Sequence, residues 1–295
     1  MDATGKTIRE AYVEASSFLK RHGVDEPAQN GQLLLEYLLG WSRTRLYLNW
    51  QDPFPEDLEL DWQRLLSRRA GGEPVQYIIG SEGFYGLTFQ VAPAVLIPRP
   101  ETEILVQEIM NRGKRLWPEG DARQPLAVDI GTGSGVIPVT LAVHCPSWEL
   151  AAVDISDTAL QLARRNAELN GVAGRVRFLE GDLLAPVYAA GLSPDIVISN
   201  PPYIKSSDLP DLQREVRDFE PHLALDGGDD GLDFYRRLAE ALAAQPVKPR
   251  LVGFEVGMGQ APDVAALLRE LGVFDRVGTV KDLAGIERHV LAERD

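Results

Sequence analysis

A short motif, Asn200-Pro201-Pro202-Tyr203, follows directly on the apolar run 195–199 and is well suited to chemistry. Each proline fixes its own φ angle and keeps the preceding residue out of the helical region, so the Asn200 amide and the nearby carbonyls are held in place. A side-chain amide oxygen and a fixed backbone carbonyl can accept two hydrogen bonds from one planar –NH2 group, and the ring of Tyr203 can stack on it. The motif therefore suits a substrate nitrogen of an amide or an amino-purine, although Asn-Pro is also common in turns that end strands.

A glycine-rich loop lies between the first predicted strand of the region after residue 125 and the helix predicted to follow it. Its members are Gly131, Thr132, Gly133, Ser134 and Gly135. Glycines at such a turn let the backbone bend tightly and approach a ligand closely. The spacing matches neither the dinucleotide-binding fingerprint nor a phosphate-binding loop, and Asp129 just before the loop would repel a pyrophosphate. The loop therefore suits a ligand with an amino group or a positive charge.

Acidic residues also follow the next two predicted strands. Asp154, beside Ile155, ends the second strand, where a carboxylate can accept both hydrogens of a ribose diol. Asp182 follows the third strand and could accept from an adenine amino group, with Leu183 covering the ring. Each acid alone could simply cap its strand. Together with the loop, and with Asn200 across the cleft, they describe a phosphate-free adenosine with a charged amino-acid tail, so we predict that they bind S-adenosylmethionine.

These residues must be positioned by an alternation of strands and helices. Strands are predicted at 126–130, 149–154, 176–180, 195–199, 250–256, 276–281 and 287–292, and helices at 136–144, 157–170, 232–245 and 261–271. Such alternation predicts an α/β fold, a mostly parallel sheet with helices on both faces. The last two strands are close enough in sequence to form a hairpin, which would make one strand antiparallel.

The chain before this region changes character twice. Residues 1–72 carry apolar residues at helical spacing and predict a small helical bundle, either a structural cap or a recognition domain for the substrate. Residues 73–97 predict a β-hairpin linker whose strands are 75–80 and 87–91. The third predicted domain, 98–295, begins just before a helix expected to start near Glu101.

Composition narrows the class of protein. The chain has 295 residues, 44% of them hydrophobic and 25% charged, with no apolar run long enough to span a bilayer and no segment typical of a signal peptide. The single cysteine, Cys145, fits a reducing cytoplasm, and the scattered histidines predict no metal site. A net charge of −14 disfavours a general nucleic-acid binder, and nothing demands more than a monomer.

From these motifs, the chain resembles class I S-adenosylmethionine-dependent methyltransferases and, more narrowly, the HemK/PrmC family. The resemblance rests on Glu73-Pro74-Val75-Gln76-Tyr77, Leu96-Ile97-Pro98-Arg99-Pro100-Glu101-Thr102-Glu103, the loop from Asp129 to Gly135, Ala152-Val153-Asp154, Asn200-Pro201-Pro202-Tyr203-Ile204 and Phe219-Glu220-Pro221. It implies a Rossmann-like, mostly parallel seven-stranded sheet with one antiparallel strand, plus the small N-terminal helical bundle. It also implies methyl transfer from S-adenosylmethionine to the N5 nitrogen of a glutamine, with a peptide chain release factor as the protein partner.

The proposed chemistry places Asn200, Pro201, Pro202 and Tyr203 at the acceptor nitrogen. In a sheet of this type the chain reverses between the first and fourth strands, so the glycine loop and Asn200 would be neighbours although about seventy residues separate them. The segment 97–103 is expected to close over the cofactor.

Other roles and functions stay open from the sequence. Arg99 suits an ion pair as well as a ligand contact, while Phe84 and Tyr85 suit a core role better than a substrate entrance. The rival functions are a nucleic-acid adenine-N6 methyltransferase, a methyltransferase for a glutamine of a ribosomal protein, and a non-catalytic binding or assembly factor.

Overall fold

The computed structural model describes residues 5–118, 120, 121 and 123–295. The chain divides into two compact units. The helical unit comprises the described residues up to Gly80 together with Gln213–Phe219, and the sheet unit comprises Ser81–Leu212 and Glu220–Asp295. Residues 1–4 of the predicted first domain lie outside the described residues.

The helical unit is built from short amphipathic helices. They are α1 (Ile8–Arg21), α2 (Pro27–Leu39), α3 (Arg43–Leu48), α4 (Glu59–Ala70), α5 (Val75–Ile79) and α10 (Arg214–Phe219). A capping box starts α1, because Thr7 Oγ1 accepts from Glu10 N over 3.2 Å and Glu10 Oε2 accepts from Thr7 N over 2.7 Å. Gly40 ends α2 in the left-handed conformation, with φ of +63°. The buried faces of α1, α2, α3, α4 and α5 meet in one apolar core around Trp62.

The predicted strand 75–80 is wrong, because this run forms helix α5. Its apolar residues Val75 and Ile78 are three apart and both are buried in the core of the helical unit. Gly80, with φ of +83°, ends the helix by donating its N–H to the carbonyl of Gln76. Tertiary burial on one helical face therefore overrides the β propensity of the branched residues.

A hairpin follows at a different place from the predicted one. Its strands are β1 (Ser81–Phe84) and β2 (Leu87–Gln90), joined by Tyr85 and Gly86, both with positive φ as a type I′ turn requires. Phe84 is 1% exposed and packs edge-on against Phe89, with ring centroids 6.0 Å apart. Tyr85 packs against His144. The core role expected for Phe84 is confirmed, whereas Tyr85 is half-buried and packs against the edge of the same core.

The sheet unit contains a seven-stranded sheet of order β5-β4-β3-β6-β7-β9-β8. The strands are β3 (Leu126–Ile130), β4 (Glu149–Asp154), β5 (Val176–Glu180), β6 (Ile196–Ser199), β7 (Leu251–Glu255), β8 (Arg276–Lys281) and β9 (Glu287–Glu293). Only β9 runs antiparallel to its neighbours β7 and β8 within the described sheet. The predicted strand positions, the reversal between first and fourth strands and the single antiparallel strand are confirmed.

Helices cover both faces of this sheet. They are α6 (Pro100–Leu116), α7 (Val136–His144), α8 (Asp157–Leu169), α9 (Ala185–Ala189), α11 (Asp233–Ala243) and α12 (Ala261–Glu270). Neighbouring residues of one strand enter opposite cores, since Ile196 and Ile198 pack with α6 and α7 whereas Val197 packs with α11 and α12. This two-sided burial explains why the central strands are continuous apolar runs.

Two kinds of feature are absent from the described residues. No helix among them is long and apolar enough to cross a membrane. Likewise, the part of the chain that the structure describes holds no group of three or more His, Cys, Asp or Glu arranged to bind a metal ion.

Candidate active site

A cavity of about 470 Å³ opens at the carboxyl ends of β3, β4, β5 and β6 in the sheet unit. Its wall includes most of the predicted site residues: Gly131, Thr132, Gly133, Ser134, Asp154, Ile155, Asp182, Leu183, Asn200 and Pro202. The structure thus brings together residues from four strand ends. They meet because β3 pairs with both β4 and β6, which places the chain reversal at this edge.

The glycine loop is shaped by backbone conformations that glycine favours. Gly131, Gly133 and Gly135 have φ of +71°, +55° and +81°. A Cβ on Gly135 would lie 2.9 Å from the Cβ of Ala163, so this glycine also allows α8 to approach closely. A Cβ on Gly131 or Gly133 would meet no atom within 4 Å, so their backbone conformation is what calls for glycine. Gly135 itself does not line the cavity.

Asp154 ties this loop to the end of β4. Its Oδ2 accepts from Gly133 N over 2.8 Å, and its Oδ1 accepts from Ser156 N over 2.9 Å. A carboxylate has further lone pairs, so both oxygens retain capacity to accept from a diol. The neighbouring Ile155 is 55% exposed and lines the cavity, where an apolar ring could cover it.

The third strand end supplies Asp182 and Leu183. Asp182 forms an ion pair with Arg237 in which both side chains are about half exposed. Leu183 is almost buried and has φ of +49°, an uncommon conformation for a residue with a branched side chain. Such strain is characteristic of sites where a side chain is held in place for a ligand.

Asp129 lies directly before the glycine loop and is 2% exposed. Neither of its carboxylate oxygens receives a hydrogen bond from the described residues. Burial raises the pKa of Asp129 to about 7; the nearby Thr132 hydroxyl opposes this rise, and the charge of Asp154 adds to it. A buried carboxylate without a donor is costly, and an amino or ammonium group of a ligand would relieve that cost.

Asn200 has one satisfied end and one unsatisfied end. Its Nδ2 donates to the Oγ1 of Thr102 over 3.0 Å, and the Thr102 hydroxyl donates to the Oε2 of Glu255 over 2.7 Å. The Oδ1 of Asn200 is buried and accepts nothing from the described part of the chain. Asn200 and Thr102 both line the cavity, so this unsatisfied acceptor belongs to a side chain of the cavity wall.

The other residues of the proline motif face different surroundings. Pro202 lines the cavity, whereas Pro201 is buried and neither it nor Tyr203 forms part of the wall. Tyr203 is held through its backbone, whose carbonyl accepts from Gln260 Nε2 over 2.9 Å, and its ring packs with the core on the α11 and α12 face. Burial is the main cause that raises the pKa of its phenol to about 12, so the phenol stays protonated at neutral pH.

The segment before α6 is pinned by Glu220, which is 3% exposed. The carboxylate accepts from Ile97 N over 3.2 Å and from Arg99 Nη2 over 2.5 Å. Arg99 thus has the ion pair that the sequence left open, and Ile97, Pro98 and Arg99 all line the cavity.

Sequence reasoning gave no role to three of these residues, Thr102, Glu220 and Glu255. The signal for Glu255 was present, because it ends β7, a strand whose five residues are all buried. A carboxylate at the end of such an apolar strand repeats the pattern of Asp129 in β3. Thr102 and Glu220 lie inside the motifs that carry the family resemblance, but their partners are distant in sequence.

Comparison with known proteins agrees with this geometry. Residues 10–80 match the family model of the PrmC N-terminal domain, and residues 101–226 match the methyltransferase small domain. The N-terminal domain of human METTL16, solved in complex with SAH, has a TM-score of 0.51 at 18% identity and covers 72% of this chain and 77% of its own. At that identity the likeness shows a common fold, the class I methyltransferase fold predicted from the sequence.

Two relatives align over nearly the whole chain. The release factor glutamine methyltransferase of Bacillus anthracis is 42% identical over 286 residues, 97% of this chain and 99% of the relative. The enzyme of the same name from Geobacter sulfurreducens is 41% identical over 290 residues, 96% of this chain and 95% of the relative. Both alignments extend over the helical unit and the sheet unit. At this identity and coverage, the chain belongs to the release factor glutamine methyltransferase family, the HemK/PrmC family.

Proposed function

We propose that this protein transfers a methyl group from S-adenosylmethionine to the side-chain amide nitrogen of a glutamine in a peptide chain release factor. The observation that carries the proposal is the buried Oδ1 of Asn200, which accepts no hydrogen bond from the described residues and belongs to a residue that lines the same cavity as the glycine loop. An acceptor of this kind suits a substrate –NH2 group.

The residues of the cavity fit S-adenosylmethionine. Asp129 has two buried oxygens that lack a donor, as a ligand ammonium would require, and Asp154 has lone pairs left for a ribose diol. Ile155 and Leu183 offer apolar surface to the adenine, and Asp182 offers an acceptor to its amino group. When bound, the cofactor supplies an electrophilic methyl carbon on a sulfonium.

The chain's own task is to prepare a weak nucleophile. An amide nitrogen reacts poorly because its lone pair is delocalised into the carbonyl. We propose that Asn200 Oδ1 and the Pro201 carbonyl accept its two N–H groups, orient the nitrogen and stabilise the positive charge that develops on it. Pro202 stiffens this corner, and Tyr203 packs beside the amide. No strong base is needed, because an N-protonated amide is very acidic and releases its proton readily.

The division of labour along the chain is also part of the proposal. Residues 1–72 act as the recognition domain for the release factor, 73–97 as the linker, and 98–295 as the methyltransferase domain. The match of residues 10–80 to the PrmC N-terminal domain supports a family-specific role for the first of these. The release factor itself is taken from the names of the relatives.

The test is methyl transfer to defined substrates. Purified protein is incubated with labelled S-adenosylmethionine and, in parallel, a release factor, a ribosomal protein fraction and duplex DNA. We expect one methyl group on a single glutamine of the release factor, located by peptide mass spectrometry. Label on adenine or on a ribosomal protein, with none on the release factor, would overturn the proposal.

The matched variant is Asn200→Ala. Loss of one preorganised acceptor costs roughly 100- to 1,000-fold in rate. Because Asn200 is proposed to act on the acceptor, calorimetry should show that cofactor affinity largely survives. Turnover by the variant equal to that of the parent would remove Asn200 from the mechanism.

A further inference from the structure

We infer that Thr102 and Glu255 are positioning residues that decide which end of the Asn200 amide faces the acceptor nitrogen. The inference rests on the proposed function, because it concerns the same nitrogen. It starts from the chain of hydrogen bonds that runs from Asn200 Nδ2 to Thr102 Oγ1 over 3.0 Å and from the Thr102 hydroxyl to Glu255 Oε2 over 2.7 Å.

The problem that this chain solves is an ambiguity of the asparagine side chain. The oxygen and the nitrogen of an amide have almost the same size and position, so sterics alone do not choose between the two orientations. If Nδ2 faced the cavity, it would present its own hydrogens to the N–H groups of the substrate. The substrate nitrogen would then lose its acceptor and meet a like dipole.

The donors and acceptors available on Thr102 and Glu255 remove this ambiguity. Burial raises the pKa of Glu255 to about 7, and the Thr102 hydroxyl opposes this rise. Above that pH the carboxylate is ionised and can only accept, so the single hydrogen of the Thr102 hydroxyl is directed to it. The Thr102 oxygen can then only accept from Asn200, which requires that Nδ2 face it. The Oδ1 of Asn200 is then left as an unsatisfied acceptor among the described residues, on a side chain that lines the cavity.

Thr102 and Glu255 are held firmly in place. Thr102 and Glu255 are 1% and 2% exposed, so water does not compete for their hydrogen bonds. The Glu255 backbone carbonyl accepts from the Tyr235 hydroxyl over 2.7 Å, and the Glu101 carbonyl lies 3.0 Å from His289 Nε2. The strand end and the first turn of α6 are therefore fixed independently of the Thr102 hydroxyl, so its loss affects chiefly the amide orientation.

Two substitutions interrupt this series of hydrogen bonds in different ways. Thr102→Val removes the hydroxyl and leaves Asn200 without its anchor. Glu255→Leu removes the acceptor, so the Thr102 hydrogen becomes available to Asn200 Oδ1 and favours the inverted amide. In each variant we expect the turnover rate to fall roughly 10- to 100-fold, the effect of a misplaced reacting group, with cofactor affinity within about threefold of the parent.

The double variant separates orientation from stability. Thr102→Val leaves a buried carboxylate without its donor, so its melting temperature should fall, and adding Glu255→Leu should restore it. Turnover should not recover, and the double variant should be about as slow as Thr102→Val alone. Recovery of turnover together with melting temperature would show that the two residues act through stability only, and would overturn the inference.

Conservative and matched controls complete the design. Thr102→Ser keeps the hydroxyl and should restore most of the turnover. Thr140→Val makes the same change at a buried threonine of α7, away from the cavity, and should leave turnover unchanged.

Different results would overturn the inference and the proposed function. If Asn200→Ala is inactive while Thr102→Val and Glu255→Leu turn over like the parent, the inference is lost and the proposed function stands. If the parent places no methyl group on a release factor, the proposed function itself fails.

Discussion

The Ser199 hydroxyl donates to the carbonyl of Ile130 over 2.6 Å, and both groups are buried. This bond joins the last residue of β6 to the last residue of β3. The next residue on one side is Asn200 and on the other is Gly131, so the bond ties the proposed acceptor site to the cofactor loop where the two strands end. Together with the pairing of β3 and β6, a side chain that does not line the cavity thus fixes the distance between Gly131 and Asn200.

Replacement of Ser199 by alanine should therefore lower both stability and turnover. The lost hydrogen bond leaves the Ile130 carbonyl without that donor, which costs about 1–2 kcal/mol of unfolding free energy. We expect methyl transfer to fall several-fold, because Asn200 and Gly131 are no longer held together. Denaturant unfolding and steady-state kinetics measure the two effects.

The control for this change is Ser207→Ala. Ser207 is exposed and its hydroxyl bonds to the adjacent Asp208, so both measurements should match the parent. If Ser199→Ala retained full stability and full turnover, the bond would have no part in fixing the distance between Gly131 and Asn200.

Asp154 should matter for cofactor binding through the shape of the glycine loop. The Asp154 carboxylate accepts hydrogen bonds from the N–H groups of Gly133 and Ser156. Asp154→Asn replaces one of these acceptor oxygens by an NH2 group, which faces one of the two N–H groups as a second donor. We expect cofactor affinity to fall roughly tenfold, the effect of losing a charge-assisted hydrogen bond. Calorimetry with S-adenosylmethionine gives the measurement.

The exposed neighbour Asp157 offers the comparison, because its carboxylate bonds to side chains of its own helix. Asp157→Asn should bind the cofactor as the parent does. If both substitutions weakened cofactor affinity equally, the cause would be the loss of negative charge near the cavity and not a change in the shape of the glycine loop.

Glu220 should connect the segment before α6 to cofactor affinity. Glu220→Gln weakens the pair with Arg99 and offers only one acceptor oxygen where the carboxylate now uses two. Arg99 keeps partial access to solvent, with 31% of its side chain exposed, so the cost to unfolding should be modest, about 1–2 kcal/mol. Because Ile97, Pro98 and Arg99 line the cavity, the Michaelis constant for S-adenosylmethionine should rise.

The exposed Glu168→Gln on α8 is the matched control and should change neither quantity. A Glu220→Gln variant with a lower unfolding free energy but an unchanged Michaelis constant would limit Glu220 to a structural role.

The sheet and its cavity follow from local patterns in the sequence. Apolar runs such as Leu126–Ile130 fix strand positions, and a glycine loop before an apolar helix fixes where a ligand approaches. Parallel strands with their carboxyl ends at one edge then bring Gly131, Asp154 and Asn200 together. Because each step depends on residues close in sequence plus one topological rule, the predictions made from it are confirmed at the level of the fold.

What escaped prediction depends on pairings across long sequence separations. The bond from Thr102 to Glu255 spans 153 positions and the pair of Arg99 with Glu220 spans 121. No local pattern assigns such partners. The run at 75–80 failed for a related reason, because burial of Val75 and Ile78 in the helical core outweighed their β propensity.

Asp129 should favour cofactor binding but lower the unfolding free energy of the cofactor-free protein. Burial raises its pKa from an ordinary value of 3.8 to about 7, so the folded state holds a proton that the unfolded state has released between those values. Stability from this group is therefore greatest below pH 4, falls as the pH rises to 7, and stays at its lowest value above 7. Asp129→Asn lacks this titration, so its unfolding free energy should exceed that of the parent by roughly 4 kcal/mol at pH 8, with a much smaller difference at pH 4.

The same substitution should weaken cofactor binding, since the neutral amide no longer offers a buried negative charge to a ligand ammonium. S-adenosylmethionine should then raise the melting temperature of the parent more than that of the variant, because only tight binding to the folded state adds stability. Asp208→Asn, at an exposed position, should leave both the pH profile and the cofactor response unchanged. A variant that is no more stable than the parent at pH 8, or that the cofactor stabilises equally, would show that Asp129 already has a partner and that its burial serves the fold alone.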